Sequence, residues 1–177
     1  MASFDKYVPR LRKWEGNKFV VDPNDYGGAT NSGVTIGAFR LVFGQDKTVE
    51  DLRRMTQEQW RKVMKGYFWD KCWGDMIKNQ SVAEIFVDWC INSGIEKIKM
   101  VQEMVGTTPD GIVGPKTLAA INDGINVKNG KGASLHRKIK LARANRYMNQ
   151  INADPSTQYG YFNGWFNRLI DFNYVRE

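Results

Sequence analysis

Apolar residues recur every three or four positions along much of the chain, a spacing that is typical of helices with one buried face. The first such helix carries its apolar side chains at Phe4, Tyr7, Val8, Leu11 and Trp14. Gly16 follows, and glycine is common just past a helix end. Glu15 therefore closes the first predicted helix, and its position four residues after Leu11 puts it near the apolar face.

Residues 22–37 break this pattern with glycine, asparagine, aspartate and threonine. The pairs Asp22-Pro23 and Gly27-Gly28 are typical of turns. Thr30 and residues 34–36 carry the β-branched side chains that favour short strands. The segment is therefore predicted to form a small β-hairpin or an ordered loop directly after the first helix.

Helical spacing returns in the rest of the chain. Thr56 with Gln59 three residues later matches a capping box, which favours a helix start. The further predicted helices cover residues 60–68, 82–90 with an end at Ser93-Gly94, 96–105, 114–121 and 135–151. These elements predict a mainly α (α+β) fold with a small β-hairpin or loop element and a helical C-terminal lobe.

The composition fits one compact domain, or a domain with a small, tightly joined second lobe. The chain has 177 residues, of which 42% are hydrophobic and 12% aromatic, so it can bury a core. Its formal net charge of +7 suits a polyanionic partner such as nucleic acid, an anionic membrane face or the bacterial cell wall. Charge alone does not select among these, but no nucleic-acid-binding motif accompanies it, so no nucleic-acid partner is expected.

The sequence shows no sign of a signal peptide, a membrane span or a metal site. The N-terminal residues lack an apolar segment, and no apolar stretch is long enough to cross a bilayer. Cys72 and Cys90 each adjoin a tryptophan and are expected to be buried as small apolar residues. His136, the single histidine, is expected on the surface, without the partners that a zinc site or a catalytic triad needs. No metal or organic cofactor is therefore expected.

Glu15 and the acidic residues after it could divide the work of cleaving a glycosidic bond. Such cleavage needs an acid that stays protonated near neutral pH, and a carboxylate or a held water that faces the sugar. Beside Trp14, Glu15 should be desolvated, which raises the pKa of a carboxyl group. Asp22 and Asp25 lie in a polar turn segment and should stay ionised. From composition alone, a solvated glutamate at a helix end is the simpler interpretation, because most glutamates lie at the surface.

The order and spacing of several short motifs resemble one family. Residues 13–35, K-W-E-G-N-K-F-V-V-D-P-N-D-Y-G-G-A-T-N-S-G-V-T, are similar to the start of the E-G-G-Y muramidases, glycoside hydrolase family 108. That family has roughly E-G-G-Y followed by D-P-x-D-x-G-G-x-T-x-x-G-I-T. Asn17 and Lys18 stand where the family has its second glycine and its tyrosine, and Tyr26 stands where it has a second proline. These differences affect the shape of the loop and leave the acidic and threonine positions in place.

The resemblance covers nearly the whole chain. Residues 66–70 resemble the family's Y-W-D segment, and residues 88–94 resemble its D-x-x-x-N-x-G segment. Residues 110–118 resemble the peptidoglycan-binding region that follows in this family, and residues 162–168 resemble its closing F-x-x-G-W-x-x-R. No single motif is decisive, but their order and spacing together are specific.

The resemblance implies a lysozyme-like fold and an N-acetylmuramidase that hydrolyses the β-1,4 bond between N-acetylmuramic acid and N-acetylglucosamine in peptidoglycan. It also implies that Glu15 is the catalytic glutamate. By a looser analogy with phage-type lysozymes, Asp25 with Thr30 would hold the attacking water and Asp22 would be structural, with Asp25 only slightly preferred over Asp22. A held water would invert the anomeric configuration of the product.

Three more residues are candidates for contact with the substrate. Asn92 either ends its helix at the surface or lines the cleft and binds an N-acetyl group or water, and Asp88, one helical turn earlier, shares that choice. Trp69 is either part of the core, like most aromatic residues at helical spacing, or a platform for a sugar ring. The aromatic residues of segment 159–165 present the same choice, and docking of the tail onto the core is their expected role.

The expected organisation is a muramidase catalytic region over residues 1–94 and a peptidoglycan-binding-like helical region over residues 95–177, both packed into one globule. The protein is expected to be a monomer, to be made without a signal peptide and to act on the cell wall after release. A lytic transglycosylase that yields 1,6-anhydro products and a non-catalytic wall-binding module are the alternatives. A nucleic-acid binder is a further alternative, which only the charge supports.

Overall fold

The mainly α, lysozyme-like fold class expected from the sequence is confirmed. The structure, a computed structural model, describes residues 1–21, 28–124 and 131–175. It contains two units, which we call the first unit, Ser3–Lys71, and the second unit, Met1–Ala2 with Cys72–Glu177. The division into functional regions at residues 94 and 95 stays a prediction.

The first helix of the first unit has the bounds that its apolar pattern predicts. Helix α1 spans Phe4–Glu15 and buries Phe4, Tyr7 and Leu11. Trp69 is also buried in this core, where it stacks on Tyr7 with ring centroids 5.8 Å apart and meets the ring of Phe4 edge-on. The helix ends at Gly16, whose φ of 61° is a conformation that favours glycine.

A three-stranded antiparallel sheet follows α1. Its strands are β1 (Phe19–Val21), β2 (Ala29–Asn31) and β3 (Val34–Thr35), in the order β1-β2-β3. The predicted hairpin corresponds to β2 and β3, whereas β1 begins before the predicted segment. Ile36, predicted as strand, instead starts a helix, because the Thr35 hydroxyl accepts a hydrogen bond from the Ala38 N–H and caps it.

Short helices complete the first unit. They are α2 (Ile36–Phe43), α3 (Val49–Arg53), α4 (Gln57–Lys62) and a π-helix over Val63–Trp69. The capping box predicted at the start of α4 is present, since Thr56 and Gln59 exchange two hydrogen bonds. Thr48 and Asp51 form a second capping box at the start of α3.

The second unit is built around a largely buried helix. Its elements are a 3₁₀ turn (Gly74–Met76), α5 (Gln80–Ser93), α6 (Lys97–Val105), α7 (Pro115–Gly124), α8 (Lys131–Ala153), α9 (Pro155–Gln158), a 3₁₀ turn (Tyr159–Tyr161) and α10 (Phe162–Asp171). Every residue of α5 from Ser81 to Cys90 is buried, and α6 and α8 pack against it. This enclosure explains why α5 has apolar residues on all sides rather than one stripe.

The single histidine and the two cysteines also lie in this core. His136 is 2% exposed and meets the ring of Tyr174 edge-on, so the surface position expected from the sequence is wrong. Both His136 and the preceding Leu135 are buried, so they lie on the inward-facing side of α8. Cys72 and Cys90 are buried free thiols, as predicted, with their sulfur atoms 3.8 Å apart. Among the described helices, none is both long and apolar enough to cross a membrane.

Candidate active site

Glu15 lies at the end of α1, where the backbone turns toward the sheet. Its side chain is half-buried, as the apolar pattern of the helix predicts. The Gly16 N–H still donates to the Arg12 carbonyl at 3.0 Å, so the last turn of α1 is closed and Glu15 has a fixed backbone position. A carboxyl group held in this way is ordered without being sealed from a substrate.

The carboxyl group of Glu15 occupies a space that only a glycine leaves open. Asn31 pairs with Val34, so β2 and β3 are joined by the two residues Ser32 and Gly33, with φ of 49° and 79°. Two positive φ values in a two-residue loop are typical of a type I′ hairpin turn. A Cβ atom built on Gly33 would lie 2.5 Å from Cδ of Glu15, well inside van der Waals contact. The side chain of Glu15 therefore packs directly on the backbone of this turn.

Polar contacts hold the hairpin turn in place from several sides. The Ser32 N–H donates to the Lys18 carbonyl at 2.9 Å, and the indole N–H of Trp60 donates to the Ser32 carbonyl at 2.9 Å. The Asn31 amide donates to the carbonyl groups of Leu52 and Arg53 at the end of α3. The bonds from Asn31 and Trp60 are buried or partly buried, so breaking one of them would leave a polar atom without its partner. The turn against Glu15 is thus a rigid support.

The same network reaches back to α1 through Trp60. The guanidinium carbon of Arg12 lies 3.4 Å from the centroid of the Trp60 ring, and Arg12 also hydrogen bonds to Gln57. Burial lowers the pKa of Arg12. Arg12, one turn before Glu15, and Ser32, beside Gly33, are thereby joined through one indole ring. Trp60 and Gly33 are not recognisable as site residues from the sequence, although the Asn31-Ser32-Gly33 run is a turn signal.

Of the other residues expected to act in catalysis, the structure describes only Thr30. Asp22 and Asp25 lie outside the described residues. Thr30 is the central residue of β2, half-buried, and pairs with Val20 on one side and Thr35 on the other. It stands three residues before Gly33 in the same hairpin, and its role in holding water stays a prediction.

Two of the three candidate substrate contacts are core residues in this structure. Trp69 has no exposed surface, because it is enclosed by Phe4 and Tyr7, so a sugar ring cannot stack on it. Asp88 is likewise fully buried and cannot contact a polysaccharide. Asn92 is only half-buried, and its Oδ1 accepts a hydrogen bond from the Tyr147 hydroxyl at 2.8 Å. Of the three, only Asn92 keeps a surface that a substrate could reach.

Asp88 instead joins helices of the second unit. Its carboxylate accepts hydrogen bonds from Arg143 of α8 at 2.8 Å and from Arg168 of α10 at 2.7 Å. Burial is the largest single effect on Arg143 and lowers its pKa, but the attraction of Asp88 and the contacts with Tyr147 together outweigh it, so the pKa of that guanidinium is raised. Because two buried cations share this one buried anion, both guanidinium groups rely on Asp88 for a counter-charge.

A loop in the second unit is organised by a buried amide. Gln102 is 1% exposed, and its Nε2 donates to Asp110 Oδ1 at 2.7 Å and to Thr117 Oγ1 at 3.2 Å, while its Oε1 accepts from the Gly111 N–H. The bond from Gln102, helped by the Ile112 N–H, lowers the pKa of the Asp110 carboxyl group. This loop, Gly106 to Thr117, lines a groove of about 690 Å³. The described residues contain no cluster of three metal-ligating side chains.

Two family models together match most of the chain. The family described as glycosyl hydrolase 108 matches residues 8–94, and the family described as a predicted peptidoglycan domain matches residues 96–170. Among solved structures, that of Brucella abortus SagA is similar, with 27% sequence identity, a TM-score of 0.75, and coverage of 96% of this chain and 90% of that one. A search of curated proteins gave no match.

Proposed function

This chain belongs to the glycosyl hydrolase 108 family, with a peptidoglycan domain after the hydrolase region, and from that premise we propose that it is a lysozyme of the N-acetylmuramidase type. Family membership supports a peptidoglycan hydrolase. The proposal goes further and specifies which bond is cleaved and which residue donates the proton. The enzyme hydrolyses the β-1,4 bond between N-acetylmuramic acid and N-acetylglucosamine, with Glu15 as the general acid.

The packing of Glu15 against Gly33 is the observation that carries this proposal. A general acid must be aimed at the leaving oxygen, and it must be partly shielded from water. Glu15 is half-buried at a closed helix end, and a hydrogen-bonded turn supports its carboxyl group. An ordinary surface glutamate has no such support, so the solvated interpretation of Glu15 is the weaker one.

In the proposed reaction, Glu15 transfers its proton to the glycosidic oxygen as the bond to the anomeric carbon breaks. The sugar gains oxocarbenium character, and a water molecule attacks its anomeric carbon. Asp25 and Thr30 are the proposed holders of that water, whose proton passes to the carboxylate of Asp25 as the new C–O bond forms, with Asp22 as the second choice for that carboxylate. An attack by held water predicts a product of inverted anomeric configuration.

Product analysis tests the proposed bond and chemistry. Purified peptidoglycan digested by the full chain should yield muropeptides with reducing N-acetylmuramic acid ends, measured by mass spectrometry before and after borohydride reduction. Ends lighter by one water would identify a lytic transglycosylase instead. Reducing N-acetylglucosamine ends would place the cut at the other glycosidic bond, and absence of any product would leave only a wall-binding module.

The support from the hairpin turn predicts the effect of Gly33→Ala. The new methyl group would push the flexible carboxyl end of Glu15 aside, and a displacement of about 1 Å in a catalytic group can cost about 100-fold in rate. The folding cost should be about 1–2 kcal/mol, since alanine is strained at the φ of 79°. The turnover number and the free energy of unfolding are the two measurements.

Gly106→Ala is the matched control for this variant. Gly106 has a similar φ of 75°, but a Cβ built there meets no atom within 4 Å. The control should lose similar stability and keep its turnover number on a short soluble muropeptide substrate. Equal turnover in the two variants would show that the position of the Glu15 carboxyl group does not limit the reaction.

A further inference from the structure

The second unit presents aromatic rings to solvent in the segment after α8. We define the aromatic platform as Tyr159, Tyr161, Phe162, Trp165 and Phe166. Tyr159 is 70% exposed and Tyr161 is 55% exposed. The expected docking of these aromatic residues onto the core is therefore confirmed only in part. Phe162, Trp165 and Phe166 are half-buried, whereas the two tyrosines are exposed.

Two ordered stacks of rings support the exposed tyrosines. In one stack, Tyr161 lies on Trp165 with centroids 5.6 Å apart, and Trp165 lies on the buried ring of Tyr147 at 5.3 Å. In the other, Tyr159 lies on Phe162 at 6.0 Å, and Phe162 lies on Phe166 at 4.6 Å. The interplanar angles are 12–29°, so within each stack the rings are nearly parallel. Each stack begins at an exposed tyrosine.

The base of the first stack is anchored in the charged core of the unit. The hydroxyl of Tyr147 accepts from Arg143, the arginine that holds Asp88, and donates to Asn92. The Tyr147 ring therefore has a fixed plane, which Trp165 and Tyr161 follow. A ring that is already ordered loses little conformational entropy when a ligand stacks on it.

The segment that carries the platform is polar and uncharged. In a chain of net charge +7, no residue from Pro155 to Asn167 carries a charge. Asn163 and Asn167 are exposed, and Gly160 and Gly164 have open space where a side chain would be. Flat aromatic faces beside amide groups suit a sugar, whose C–H face is apolar and whose rim is made of hydroxyl and acetamido groups. Phosphate-rich partners need cations, and the segment from Pro155 to Asn167 supplies none.

We propose that the aromatic platform is a glycan-binding site, where Tyr159 and Tyr161 stack on the sugar rings of a peptidoglycan strand. The inference rests on the proposed function, because it takes the β-1,4-linked amino-sugar chain as the substrate. The match of residues 96–170 to a predicted peptidoglycan domain supports this ligand, since that range contains the whole platform. The platform would hold the wall while the hydrolase region works on it.

Binding of the full chain to purified cell-wall sacculi tests the proposal, with Tyr159→Ala, Tyr161→Ala and the double variant compared with wild type. Each single variant should weaken binding about five- to tenfold, and the double variant more than tenfold, as for exposed aromatic residues at the centre of a contact. Tyr161→Phe should retain most of the affinity, because it keeps the ring. Calorimetry with a β-1,4-linked N-acetylglucosamine tetrasaccharide should show the same order.

Leu141→Ala is the matched control, since Leu141 is 64% exposed on α8 of the same unit and belongs neither to the platform nor to the loop of residues 106–117. It should bind the wall as wild type does. The loss caused by the tyrosine variants should persist at high salt, because no charge is involved, whereas binding through the basic surface weakens. Thermal unfolding should be unchanged in all four single variants, which separates lost binding from lost folding.

Two outcomes overturn the proposal. One is wild-type sacculus binding by the folded double variant. The other is loss of concentration-dependent self-association in that variant with wall binding intact, which would make the platform a contact between copies of the chain. Neither outcome bears on Glu15, whose role is read from product release. Conversely, tyrosine-dependent binding without any product would refute the proposed hydrolysis and leave the platform assignment standing.

Discussion

Replacing Glu15 by glutamine should lower the rate of peptidoglycan cleavage by about 10²–10⁴-fold, the usual contribution of a general acid. Glutamine has the size of glutamate, so it can occupy the same space on Gly33, but its amide cannot give a proton to a leaving oxygen. The fold should survive because the side chain is only half-buried. Release of muropeptides under single-turnover conditions measures the effect on the chemical step alone.

Glu103→Gln is the control for the loss of one negative charge. Glu103 is exposed on α6, so this variant should cleave as wild type does. Thermal unfolding of both variants checks that the proteins are folded. A folded Glu15→Gln protein with wild-type turnover would exclude Glu15 as the acid and remove the basis of the proposed mechanism.

Replacing Asp88 by asparagine should destabilise the protein by about 3–5 kcal/mol, which is the usual cost of breaking a buried ion pair. Arg143 and Arg168 would then lie in the core with no counter-charge from this site. The asparagine NH₂ group would also face guanidinium donors instead of accepting from them. For a chain of this length the melting temperature should fall on the order of 10 °C.

Asp46→Asn is the matched control for that variant. The side chain of Asp46 is 76% exposed and pairs with Lys47 at the surface, where such pairs contribute less than about 1 kcal/mol. Denaturant unfolding should therefore show a loss of unfolding free energy that is several times larger for Asp88→Asn than for Asp46→Asn. If Asp88→Asn were as stable as wild type yet failed to bind or cleave the wall, a direct role in substrate binding would return.

The sequence predicts those elements whose signals are local. Helix α1 ends at Glu15 because its apolar spacing stops there and a glycine follows, and α4 starts where the capping box indicates. By contrast, α2 is absent from the prediction, because β-branched residues at 34–36 favour strand while the helix depends on capping by Thr35. Local propensity does not decide where a strand gives way to a helix.

The candidate site was predictable in part for the same reason. The position of Glu15 near an apolar face follows from counting residues along one helix. Its support does not, because Gly33 and Trp60 reach it from other elements, and such contacts depend on tertiary packing. The sequence also left Asp88 open between surface and cleft, since a buried carboxylate requires partners, and its arginines lie 55 and 80 residues away.

The enclosed thiols of Cys72 and Cys90 have a practical consequence. Neither has any exposed surface, so reagents in solvent cannot reach them. Burial also raises the pKa of Cys90, so its reactive thiolate form is scarce. Maleimide reagents should therefore modify neither cysteine in the native protein. One cysteine introduced at an exposed site could carry a fluorophore for tracking the enzyme on living bacteria, with the native pair left in place.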